Sequence, residues 1–159
     1  MKRHVVFCSR VGDRWSFAVE FEAIGDRPAA WNEWWGSLWL WADGHVVGRP
    51  FGIEMVMSGF DPLLESLHYS EQHTSNRTST FLASLPANQA LDLVVWSRYG
   101  DGEPPASLDG DTSFLRMHEV LPRGSPLFDR WEAILIAEGL QERFIFRREG
   151  GRANEAKWP

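Results

Sequence analysis

Cysteine is almost absent. Cys8 stands alone, so no internal disulfide can form, and a small secreted scaffold held together by bridges is excluded. It lies in the apolar run His4-Val5-Val6-Phe7-Cys8 and reads as a core residue, not as a nucleophile. Lysine is nearly as scarce: Lys2 and Lys157 are the whole complement, and arginine supplies the rest of the basic residues. The formal net charge is −6. A basic stripe for nucleic acid is therefore missing, and no nucleic-acid partner is expected. No apolar run approaches the ~18 residues of a membrane span, so no membrane partner is expected either. With no leader pattern, the expected location is cytoplasmic. There is no Gly-x-Ser-x-Gly turn to present a nucleophile and no glycine-rich phosphate loop. No cofactor is implied.

What is abundant is tryptophan. Five of the nine lie between Trp31 and Gly48: Trp31, Trp34, Trp35, Trp39 and Trp41. Leu38-Trp39-Leu40-Trp41 is apolar at consecutive positions, which suits a strand covered on both faces. Asp43-Gly44 then predicts a two-residue hairpin turn, because a type I′ turn needs positive φ at both central positions. At 159 residues the chain can bury a substantial core. We expect one α+β domain over residues 1–149, mainly antiparallel sheet with one or two packed helices around this hairpin, and a mobile tail over 150–159.

The remaining pattern fills in around that centre. His4 to Cys8 is β-prone. From Trp15 to Glu22 apolar and small or polar residues alternate, predicting a strand with Trp15, Phe17, Val19 and Phe21 towards the core. In the stretch from Ile53 to Gln72, Asp61 as N-cap and Pro62 at the first helical position predict a helix whose Leu63, Leu64 and Leu67 share a face. His73 to Thr80 reads as a loop. Pro86 to Gly100 fits helix spacing but also has strand propensity, with helix preferred. Asp101 to Asp111 is a loop broken by Pro and Gly. Thr112 to Leu121 reads as a strand. Glu132 to Glu138 and Gln141 to Arg147 read as a second hairpin.

The chemistry-bearing groups mostly admit plain readings. His68, Glu71 and His73 have the wrong spacing for a helical zinc site and suit a solvated helix end. His118 and Glu119, neighbours on an expected strand, point to opposite faces and make no dyad. Glu20 and Glu22 share a strand face, where solvated carboxylates are the simpler reading. No catalytic residue and no metal site is assigned. The acids are more telling. Glu54, Asp61, Glu65 and Glu71 fall in a stretch without any Lys or Arg, as do Asp101, Glu103, Asp109 and Asp111. Arg143, Arg147, Arg148 and Arg152 gather positive charge near the end. An acidic patch can steer and orient a basic protein, and exposed tryptophans of the Trp31-Asn32-Glu33-Trp34-Trp35 segment can anchor it.

Four stretches carry a resemblance. They are Phe17 to Glu22; Trp35 to Trp41 followed by Asp43-Gly44; Val47-Gly48; and Phe128-Asp129-Arg130-Trp131-Glu132 leading to Glu142 to Phe146. In this order they resemble the immunity proteins of bacterial polymorphic-toxin systems, in particular the group catalogued as immunity protein forty-two. That likeness implies a non-enzymatic cytoplasmic antidote, encoded beside a toxin in contact-dependent growth inhibition or a similar system, that blocks the C-terminal domain of its cognate toxin. A basic nuclease is one toxin an acidic antidote would suit. On this reading the candidate toxin-binding residues are Asp101, Glu103, Asp109, Asp111, Glu65, Glu71, Trp31 and Trp34. The alternatives are a small-molecule-binding domain or enzyme with a Trp-lined pocket, in which Glu20, Glu22 and His118 would be the polar groups, and an oligomerisation module using exposed sheet edges.

Overall fold

The structure, a computed structural model, describes residues 5–24, 35–49, 54–72, 77–99, 113–122, 125–138 and 141–158. The architecture is α+β, with antiparallel sheet as expected. The chain packs as two compact units, residues 1–65 with 122–131, and residues 66–121 with 132–159.

The first unit is built on the tryptophan hairpin. Strands β1 (Val5–Gly12), β2 (Phe17–Ile24), β3 (Trp35–Ala42) and β4 (His45–Gly48) lie side by side in chain order, and the short β5 (Glu54–Met55) also pairs with β3. β3 is thus the hub. It opposes β2 from Trp35↔Ile24 to Ala42↔Phe17 and β4 from Trp39↔Gly48 to Ala42↔His45. Asp43 and Gly44 make the turn with φ of 48° and 75°, the two positive values a tight hairpin of this kind requires.

Register sorts the side chains onto two faces. One carries Val19, Phe21 and Ala23 of β2, Leu38, Leu40 and Ala42 of β3, and Val47 of β4. All but Phe21 are buried, and Phe21 meets Phe60 of helix α1 (Val56–Gln72) at 6.0 Å between ring centres. The other carries Ala18, Glu20 and Glu22 opposite Trp41, Trp39 and Ser37. It is not a water face, since Ala18, Glu20, Ser37 and Trp39 are all buried. The expectation that β3 is covered on both sides is met. The segment Ser125–Trp131 closes part of the unit: a Cβ on Gly48 would come within 2.9 Å of the Phe128 ring, so only glycine lets the two approach.

The second unit packs helices on a three-stranded sheet, β6 (Trp131–Glu138), β7 (Gln141–Arg148) and β8 (Asn154–Trp158), in that order. Ile134, Ile136 and Ile145 join Leu82 of helix α2 (Arg77–Ser84), Ala90, Leu91, Leu93 and Val94 of helix α3 (Ala87–Tyr99), and Leu115 of the short helix α4 (Ser113–Arg116) in one buried cluster. Phe144 and Phe146, two apart on β7, stack at 5.5 Å.

Four local expectations are corrected. α1 begins at Val56 and runs through Pro62, so Asp61-Pro62 is not its start; the proline gives up one intrahelical bond while Leu63, fully buried, holds the turn in the core. Residues 77–80 are helical, not loop, because Leu82 needs a helix to reach the core and packing overrides weak Ser/Thr propensity. The expected strand at Thr112 to Leu121 is instead α4 followed by turns, in which the N–H groups of His118 and Glu119 donate to Leu115 and Arg116. A single bridge, Glu119↔Ile134, is what remains of sheet pairing there. The tail is not loose: Asn154–Trp158 pairs with β7 from Glu142↔Trp158 to Phe146↔Asn154. Ala156 buries against the sheet, the Trp158 ring lies 6.3 Å from Phe144, and its indole N–H donates to Glu142. The helix preferred over Pro86 to Gly100 is found, as α3.

Candidate binding surface

A closely hydrogen-bonded exposed feature of the first unit lies where two turns meet. Asp13 to Ser16 links β1 to β2, and Asp43-Gly44 links β3 to β4. Backbone bonds lace them together: Asp43 N–H donates to the Ser16 carbonyl at 3.0 Å and Gly44 N–H to that of Arg14 at 2.8 Å. Within the first turn Ser16 N–H donates to the Asp13 carbonyl, and Trp15 N–H to the Asp13 Oδ1 at 2.9 Å. A short Asp side chain closing its own turn in this way is a recurrent fixing device.

Side chains continue the lacing inward. Glu20 is 7% exposed, which the solvated strand-face reading did not anticipate. Its carboxylate accepts Arg14 Nε at 2.9 Å, Arg14 Nη2 at 2.6 Å on both oxygens, and Trp41 Nε1 at 2.7 Å. The Arg14 guanidinium also sits 4.5 Å over the Trp41 ring. Burial of a carboxylate is tolerable only with such donors, so Glu20 is a strut. Trp15 projects from this rigid base. It is 79% exposed, its ring resting where a Cβ on Gly44 would be, 2.7 Å away. The strand reading placed Trp15 in the core; β2 in fact starts at Phe17. The Gly12-Asp13 pair is a turn signal that would have put Trp15 in the turn.

Two further large apolar side chains are exposed among the described residues, Trp35 at 54% and Leu64 at 45%. Glu65, next to Leu64 on α1, is exposed. Glu71 falls in the last turn of α1, with its side chain outside the described residues. Asp101, Glu103, Asp109, Asp111, Trp31 and Trp34 lie outside the described residues altogether.

Two of the three polar groups suggested for a pocket, Glu20 and His118, have other duties. Glu20 belongs to the first unit and is bound as above. His118 belongs to the second, where its buried ring donates from Nδ1 to the Leu135 carbonyl at 2.9 Å while Leu135 N–H returns a bond to its backbone. Two of the four terminal arginines are paired as well. Arg143 grips Glu155 and the Ala83 and Leu85 carbonyls at the end of α2, and Arg147 bridges Glu132 and Asp92. No described helix is long and apolar enough to cross a membrane.

Comparison with known proteins gives two positive findings. Residues 7–158 match the family model described as Immunity protein 42. The crystal structure of CdiI from Burkholderia dolosa AUO158 has a similar fold, with a TM-score of 0.59 over 94% of this chain and 89% of that one, at 16% sequence identity. No curated protein matches.

Proposed function

This chain belongs to the immunity protein 42 family, and from that premise we propose that it is an antidote which binds the C-terminal domain of a cognate bacterial toxin and blocks it by occlusion, without catalysis. The observation that carries the reading is the family match over residues 7–158. The engagement of Glu20 and His118 in their own units' hydrogen bonds supports it, since both side chains serve to hold their unit together. An antidote needs affinity and not turnover. To keep free toxin negligible the complex has to be about nanomolar, ~−12 kcal/mol, which usually takes roughly 800 Å² per partner.

The acid-rich stretches fit such a role on a chain of net charge −6. Asp101, Glu103, Asp109 and Asp111, with Glu65 and Glu71 on α1, would supply the steering charge, and Trp31 and Trp34 the apolar contact. A basic nuclease, whose substrate cleft attracts phosphate, is the toxin class that best complements this charge. The direct test is co-expression with the toxin domain encoded beside this chain. Rescue of growth and co-purification as a complex are expected. A toxin domain that still kills and does not co-purify overturns the proposal.

A further inference from the structure

We propose that Trp15 is the principal anchor of the toxin complex, inserting into an apolar recess on the toxin domain whose rim is basic. This rests on the antidote reading above and adds where the chain grips its partner.

The argument begins with what Trp15 does not do. At 79% exposed it contributes little to the core. An exposed indole offers a large apolar face with a polar N–H at its edge, a side chain suited to being covered by a partner. Next is the base beneath it. Trp15 N–H is held by Asp13, Gly44 N–H by Arg14, and the Arg14 side chain by Glu20 and Trp41. The ring packs against Gly44, at a position where any Cβ would displace it. The backbone is therefore already ordered before binding, which removes part of the entropic cost of association. Tryptophan is among the residue types enriched at the few positions that dominate interface energies.

The chemistry of the partner follows from the rim. Arg14 is charge-matched by Glu20. The other charged residues of the two turns, Asp13 and Asp43, are both exposed, so the ring is flanked by carboxylates. A complementary surface is apolar at its centre and carries Lys or Arg around it. The overall charge of −6 points the same way.

The test measures binding of the isolated C-terminal domain of the adjacent toxin to the full chain and to three variants, Trp15→Ala, Trp35→Ala and Leu64→Ala. Trp15→Ala is expected to weaken binding at least about thirty-fold, mainly by faster dissociation, with its thermal midpoint within about 2 °C of the parent. Trp15→Phe is expected to recover part of the loss. Trp35→Ala and Leu64→Ala, the other exposed apolar positions, are expected to change affinity less than Trp15→Ala. If the parent binds and Trp15→Ala binds equally well, the anchor is overturned and the antidote reading stands. If the parent does not bind, the antidote reading itself fails. If the parent is a dimer in light scattering and Trp15→Ala is a monomer, the ring serves a second copy of the chain and the proposal is overturned.

Discussion

At the scale of single residues, the ledger of buried polar groups is nearly closed, with one exception. Among the described residues the Trp39 indole N–H is buried without a hydrogen-bond partner, in a side chain 5% exposed. A buried donor without an acceptor costs about 1–3 kcal/mol. Phe at this position removes that cost and gives up some packed area, so the two changes oppose each other. Trp39→Phe is therefore expected to leave stability within about 1 kcal/mol of the parent, while Trp39→Ala, which leaves a cavity, is expected to lose about 3–5 kcal/mol. Urea denaturation with matched slopes would separate them. The scarcity of lysine also gains a physical sense at this scale. Arg14, Arg143 and Arg147 each spread a planar fork across two or more acceptors, namely the Glu20 oxygens, Glu155 with the end of α2, and Glu132 with Asp92, while Arg116 closes two nitrogens on the single Ser97 carbonyl. An ammonium could not reproduce these geometries. One of the pairs carries a pH signature. Burial alone would push the Glu155 carboxyl up, but the hydrogen bonds and charges of Arg143 and Lys157 outweigh it and hold the group below its ordinary 4.5. A value lowered by folding means stability that is complete above about 4.5 and lost as pH falls through the folded value. The parent is thus expected to lose more thermal stability than Glu155→Gln between pH 6 and pH 3, and equal losses would remove Glu155 from the account.

At the scale of elements, the same pair of residues explains why the C-terminal segment is a strand. Arg143 on β7 reaches Glu155 on β8, Ala156 is buried, and Trp158 lies on Phe144. Removing residues 150–159 turns β7 into an open edge and uncovers Phe144. Burial of a Trp and an Ala together with a strand's ladder is worth about 2–4 kcal/mol, so the truncated chain is expected to melt at least about 5 °C lower and to aggregate more readily. A truncation that melts unchanged would show the strand to be dispensable. This element marks where sequence reading stops. GGRANEAKWP shows two apolar groups worth burying, Ala156 and Trp158, and their partner, Phe144, is over a dozen residues away. Periodicity sees only local neighbours. It succeeds where the signal is local: the Asp43-Gly44 turn, the β3 run apolar on both faces, α3, and the β6 and β7 strands. It fails where packing decides, as in α2 and α4, whose Ser- and Thr-containing segments become helical to deliver Leu82 and Leu115 to the core. The Trp15 turn lies between these cases. Alternation runs through Trp15 to Phe17 and competes with the local Gly12-Asp13 turn signal, and the contacts among Arg14, Glu20 and Trp41 decide for the turn. Of the residues the sequence nominated for binding, Glu65 is exposed, and six lie outside the described residues, so the nomination of the acid loop rests on charge alone.

At the scale of the whole molecule, charge and apolar contact act on different parts of the binding reaction, and this gives the acid loop a test of its own. Long-range attraction speeds the encounter and is screened beyond about 10 Å at 0.1 M salt, whereas a desolvated aromatic contact forms after the encounter and sets how long the complex lasts. Replacing Asp101, Glu103, Asp109 and Asp111 with lysine opposes the −6 charge of the chain in one segment. If those acids steer a basic toxin domain, association at about 20 mM salt is expected to slow by roughly tenfold or more, with dissociation little changed, and the gap between variant and parent to close towards 0.5 M salt. The Trp15→Ala effect runs the other way: its loss is in dissociation and survives high salt, because apolar burial is not screened. Stopped-flow association and surface-bound dissociation, each across a salt series, read the two terms separately. An association rate that ignores the charge reversal at every salt concentration would take the acid loop out of the interface, and would leave Glu65 and the turn bearing Trp15 as the places to look for the toxin's footprint.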